Sequence, residues 1–264
     1  LWFDSVALIS DAGHNLSDVV SLVLSLIAFR LARVKPTASY TYGYRKSTVL
    51  VSLLNACILL VAVGVILVES VRKLYDPQPV DGDSIAWVAG IGIVINAFTA
   101  WLFIRDKEKD LNVKGAYLHM AADTLVSVGV LVSGIVIRLT GWYAIDPVVG
   151  IAIALVILFS TSKLLHDSLR LSLDGVPVGI DSERVRRSIT ETDPRIEDVH
   201  HVHIWAISTT QNALTAHVVV RSLDDAEELK HEIKHQLEHE GIGHATLEFE
   251  LCGEHCAKEC PECR

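Results

Sequence analysis

The chain has 264 residues, half of them hydrophobic, with a mean hydropathy of +0.38, too apolar for an ordinary soluble protein and suited to one that is part membrane, part soluble. Residues 1–174 carry 14 basic and 14 acidic side chains, so the whole formal charge of −9 falls in residues 175–264, together with nine of the twelve histidines. An acidic, His-rich soluble part argues against a nucleic-acid partner, whose phosphates need a basic face, and favours cations.

Taken in order, residues 1–4 are a stub and the first apolar run covers residues 6–32. It contains His14 and Asp18, four apart and therefore on one helical face, one turn from each other. Residues 47–68 and 84–104 carry no charge and are long enough to cross a bilayer of ~30 Å. Residues 112–137 begin polar, hold His119 and Asp123 at the same spacing, and then turn apolar. Residues 147–162 are nearly all aliphatic, and the helix is expected to continue to about 165. This reading gives five spanning helices and no cleavable signal peptide, since no basic stretch precedes the first apolar run. Basic residues cluster between spans one and two (Arg30, Arg33, Lys35, Arg45, Lys46) and between spans three and four (Arg105, Lys107, Lys109, Lys114), which places those connections and the C-terminal part in the cytoplasm. Five spans put residues 1–4 on the outer face at the very start of a span, so a preceding helix is expected to be missing.

The soluble part starts after Gly175 and Pro177, which stop the last helix. A helix over residues 181–190, strands over 199–208 and 213–221, an amphipathic helix over 224–239 and a strand over 245–251 give the order αββαβ, a small α+β domain with helices covering one face of its sheet. The division expected is 1–174 membrane part, 178–251 cytoplasmic domain and 252–264 tail. Cys252, Cys256, Cys260 and Cys263 crowd this tail, either as a metal-binding segment in a reducing compartment or as a disordered, redox-labile end. His231, His235 and His239 form a stripe of period four that reads as a solvated face ahead of a metal site.

Ionisable groups within membrane-length helices are expensive and mark ion or proton paths. Two facing His–Asp pairs supply two imidazoles and two carboxylates, a sufficient set for one tetrahedral divalent ion, with Zn²⁺ the usual occupant. The competing interpretation is two buried polar pairs that only hold helices together. No H-E-x-x-H, G-x-S-x-G or P-loop motif is present, so an enzyme is not expected; an intramembrane metalloenzyme and a membrane-tethered metal sensor are the alternatives to a transporter.

Ser10 to Asp18, Tyr40-Thr41-Tyr42-Gly43-Tyr44-Arg45-Lys46, Asn112 to His119 and Asp146-Pro147 resemble the cation diffusion facilitator family, most closely its zinc/cadmium/cobalt branch. The resemblance covers essentially the whole chain. It implies six transmembrane helices, so that the absent one is the first, a ferredoxin-like cytoplasmic domain, a homodimer in the lipid bilayer, and export of Zn²⁺, or of Cd²⁺ or Co²⁺, against protons. It implies that His14, Asp18, His119 and Asp123 form the transport site and that no organic cofactor is used. It further implies a cytoplasmic regulatory zinc site at His200, His217, His244 and Glu250, although nine histidines in ninety residues also allow unrelated partners, and His201 and His203 are weaker candidates. A loop metal site known from some members is expected to be absent, because Tyr40, Tyr42 and Tyr44 stand where histidine is needed. Lys46 and Asp174 match a charge pair of the family.

Overall fold

The computed structural model describes residues 22–75, 82–142 and 144–252. The chain forms two compact units, one of residues up to Lys35 together with Ser47–Ser168, the other of Pro36–Lys46 together with the residues from Leu169 onward.

The first unit is helical: α1 (Leu22–Ala32), α2 (Ser47–Tyr75), α3 (Gly82–Phe103), α4 (Leu111–Thr140) and α5 (Ile145–Ser172), whose last turn passes into the second unit. Among the described residues three helical stretches are long and apolar enough to cross a membrane, namely Ser47–Tyr75, Leu111–Thr140 and Pro147–Ser172. At the positions of the other two expected spans stand α3 and the described part of α1, whose apolar helical stretches among the described residues are Ile93–Phe103 and Leu22–Ala32. Val61, Val65 and Val68 of α2 and Phe159 of α5 point outward, Phe159 with 78 % of its surface free; such a surface suits lipid and not water. With no hydrophobic drive between helices in lipid, close approach at small residues has to supply the packing. Gly129 of α4 does this against α5, where an added Cβ would come within 2.5 Å of Ile153 Cδ1. Asp110 caps α4 by accepting the Asn112 and Val113 N–H groups at 2.6 and 3.3 Å, and Gly141 ends it at φ +69°. The Asn112 amide then donates across to the Thr48 carbonyl of α2 at 2.9 Å.

The second unit has the expected αββαβ order: α6 (Ser182–Thr190), β1 (Ile196–Ala206), β2 (Asn212–Val220), α7 (Ala226–His239) and β3 (Ile242–Leu251). Strand β2 lies between β1, antiparallel to it, and β3, parallel to it. A parallel partner requires a crossover, and α7 provides it. Alternation along each strand sends Leu214, Ala216, Val218 and Val220 to one face, where they pack with Val185 and Ile189 of α6 and Leu229, Ile233 and Leu237 of α7. Each fully buried Leu or Ile there contributes roughly 1.5–3 kcal/mol. His217 of β2 and Glu248 and Glu250 of β3 therefore fall on the opposite face, away from α6 and α7. Asp181 caps α6 by accepting the Glu183 and Arg184 N–H groups. Within the same unit Lys46 meets Asp174 at 2.5 Å and donates to the Ala206 carbonyl at 3.0 Å, which fastens the segment Pro36–Lys46 to the end of β1.

Candidate metal centres

His119 and Asp123 follow from the first turns of α4, where Leu118, Met120 and Ala122 supply apolar neighbours. Both side chains are withdrawn from the surface, His119 with 5 % and Asp123 with 8 % of the residue exposed. His119 Nε2 stands 3.7 Å from Asp123 Oδ2, too far for a hydrogen bond and near the separation of two ligands on one ion. His119 also lines a narrow pocket with Leu22 and Ser25 of α1, Asn55 and Leu59 of α2 and Gly115 and Ala116 of α4. The Asn55 amide donates to Ser25 Oγ at 3.0 Å, an interhelical bond at the pocket wall. His14 and Asp18 lie outside the described residues.

On the open face of the second unit, β1 and β2 set His200 directly opposite His217, and β3 sets Glu250 beside them, opposite Val219. His217 Nδ1 lies 2.5 Å from Glu250 Oε1, and His200 Nε2 lies 3.4 Å from Glu250 Oε2. The three ligand atoms all fall within 4.8 Å of one another. A tetrahedral zinc ion with bonds near 2.0–2.1 Å separates its ligands by about 3.3 Å, so small side-chain movements let this set close on one ion. Two further carboxylates stand behind the imidazoles, Asp198 Oδ2 at 3.6 Å from His200 Nδ1 and Glu248 Oε2 at 3.4 Å from His217 Nε2. Partners of this kind fix the orientation of ligating rings. Asp198 and Glu248 were legible in principle, since i, i+2 spacing puts them on the faces of His200 and Glu250.

Within one chain His244 is not brought to His200, His217 and Glu250. It shares a sheet face with Glu250, but it pairs with Ala213 at the far end of β2. Six residues of strand separate the two by roughly 20 Å. Its ring instead meets Tyr42 edge-on at 5.6 Å. Alternation fixes the face of a strand residue and says nothing of its position along the strand. The ring that does join the cluster is His201, stacked on His217 with centroids 4.8 Å apart. It sits at φ +50° in an irregularity between His200 and His203, where three steps of β1 oppose two of β2. His203 is exposed opposite Thr215.

Cys252 is engaged apart from these ligands: its thiol donates to Glu197 Oε2 at 2.8 Å, and Glu197 also accepts from Arg221 Nε at 2.7 Å. The hydrogen bond to the Glu197 carboxylate pushes the thiol above its usual range, which opposes the thiolate that metal ligation needs. Cys256, Cys260 and Cys263 lie outside the described residues.

Comparison with known proteins accounts for both units. Residues 1–171 match the family model of the cation efflux transmembrane domain, and residues 177–251 that of the cation efflux protein cytoplasmic domain. The chain belongs to the cation efflux family. Among the relatives of this cation efflux protein is the cadmium, cobalt and zinc/H(+)-K(+) antiporter of Bacillus subtilis, 36 % identical over 252 residues, which cover 94 % of the chain and 81 % of the relative. The zinc transporter ZitB of Escherichia coli is 36 % identical over 248 residues, 93 % of the chain and 79 % of that protein. The metal cation efflux system protein CzcD of Cupriavidus metallidurans is 36 % identical over 252 residues, 94 % and 78 %. The chain is thus an integral membrane metal cation efflux transporter and not an enzyme, as the resemblance of its motifs implied.

Proposed function

We propose that this transporter exports Zn²⁺ from the cytoplasm in exchange for protons by alternating access, as a homodimer, with His14, Asp18, His119 and Asp123 holding the ion. The observation that carries the reading is the burial of His119 and Asp123 one turn apart, with His119 on the wall of a pocket between α1, α2 and α4. In sequence Asp18 precedes Leu22 and Ser25 by four and seven residues and His14 precedes them by eight and eleven, the spacings of one helical face, and Leu22 and Ser25 line that pocket. Two carboxylates balance the double charge of the ion, and two imidazoles favour Zn²⁺ over harder cations. Ligation requires neutral imidazole and ionised carboxylate, so protons and metal compete for the same atoms, and protons arriving from the outer face displace the ion. The names of the relatives support Zn²⁺, with Cd²⁺ and Co²⁺ as further cargo. The test is proton-driven zinc uptake into proteoliposomes. Asp18→Ala and Asp123→Ala each remove one of four ligands from a dry site and should abolish uptake, and flux near that of the unaltered protein in either variant would exclude the assignment. On the cytoplasmic side, we assign a regulatory Zn²⁺ to His200, His217 and Glu250, whose fit to one ion supports it.

A further inference from the structure

Helix α7 is anchored on one side. Leu229, Ile233 and Leu237 are buried in the core of the second unit, which turns His231, His235, His239, Glu228 and Glu232 to the solvent. Side chains four apart on a helix stand one above the other. His235 and His239 go further than this spacing demands: their rings meet at 80° with centroids 4.8 Å apart. A tetrahedral zinc ion bonded to one nitrogen of each of two imidazoles holds their centroids about 5 Å apart. The two rings therefore already stand at the separation of a chelating pair, on a backbone that the core holds rigid, and little ordering remains to oppose binding. Glu232, three residues before His235, lies on the same exposed face and adds negative charge beside the pair.

We propose that His235 and His239 form a divalent-metal site of the zinc class on the exposed face of α7. It is separate from His200, His217 and Glu250, because α7 covers the core face of the sheet and those three lie on the other. Two protein ligands leave the remaining positions to water, so the ion exchanges readily. The net charge of −9 in residues 175–264 raises the local concentration of divalent cations around it. These properties suit capture and release of cargo on the side from which the transporter draws it, a role that rests on the export direction proposed above. A histidine in the last turn of a helix is also stabilised by the helix dipole, but that accounts for His239 alone and not for its pairing with His235.

The test uses the full chain in detergent and Zn²⁺ alone. Histidines are modified with diethyl pyrocarbonate, and each is followed by mass spectrometry. With Zn²⁺ tenfold above its Kd, mass action should slow modification of His235 and His239 roughly tenfold, while Mg²⁺, a hard cation that prefers oxygen, should not slow it. In His239→Gln, whose change is confined to the surface, His235 should lose its protection while His200 and His217 respond to Zn²⁺ as before. Unaltered reactivity of His235, protection that persists in His239→Gln, or protection shared between His231 and His235 instead would each overturn the proposal. Failure of the sheet cluster is read independently, at His200 and His217.

Discussion

Asp193 shows what one side chain contributes at the start of β1. Its carboxylate accepts the Arg195 backbone N–H at 2.7 Å and the guanidinium at 2.9 and 3.0 Å. These hydrogen bonds, the guanidinium's first, hold its carboxyl below the usual carboxylate range. A carboxyl depressed in the folded state stabilises the fold above its ordinary pKa and loses that contribution as pH falls through the folded value. Asp193→Asn should therefore melt at a lower temperature than the unaltered protein at pH 7, with a deficit that holds to about pH 5 and shrinks below about pH 4. Melting curves of the two proteins between pH 7 and pH 3 check this. Residue-scale reasoning from sequence worked where a spacing is also a distance. His119 and Asp123 had to share a face because they are four apart on one helix. It did not reach the position of His244 along its strand, which separates it from Glu250 within one chain, and it underrated His201, whose stacking depends on an irregularity that the residue types around it do not announce.

At the scale of elements, α4 and α5 are joined by charge as well as by packing. Lys114 Nζ stands 3.4 Å from Asp167 Oδ2, and Asp167 has 5 % of its surface exposed. One residue on, Ser168 shares a hydrogen bond with Ser52 of α2 at 2.9 Å. Removing one partner of a buried ion pair strands the other charge, at a cost of about 3–5 kcal/mol, whereas removing both often costs little. Lys114→Met should thus lower the thermal stability of the detergent-solubilised protein strongly, and Lys114→Met with Asp167→Leu should recover most of the loss; equal damage in single and double variants would exclude the pairing. Asp167 and Ser168 lie in the last turns of α5. The sequence reading carried the apolar helix only to about 165 while placing its stop at Gly175 and Pro177, and the helix reaches Ser172, through Lys163, His166, Asp167 and Arg170. A buried partner on another helix is what allows charge to persist there. The elements of the second unit were legible to within three residues at each end, because α7 and most of each strand carry periods of 3.6 and 2.

For the molecule as a whole, charge and metal oppose each other. Residues 175–264 carry nine more acidic than basic side chains, so two copies of this domain repel, and an ion at His200, His217 and Glu250 reduces that repulsion. Under the regulatory assignment Zn²⁺ binds the closed form better and shifts the population toward it. A fragment spanning residues 169–252 should gain thermal stability and become more compact with stoichiometric Zn²⁺, and His217→Ala with Glu250→Ala should remove most of the gain; melting and small-angle scattering that ignore Zn²⁺ would rule the assignment out. The placement of β3 also gives this ligand set a history. His200 and His217 face each other across a hairpin whose strands are joined by the five residues Ile207–Gln211, a contact that forms early because its loop is short. Glu250 arrives only after α7 has crossed over and β3 has paired, the most distant contact in the sheet. The carboxylate is then the last ligand to assemble and the first to leave, so under the regulatory assignment an ion held by it should slow unfolding and leave the rate at which the sheet forms almost unchanged.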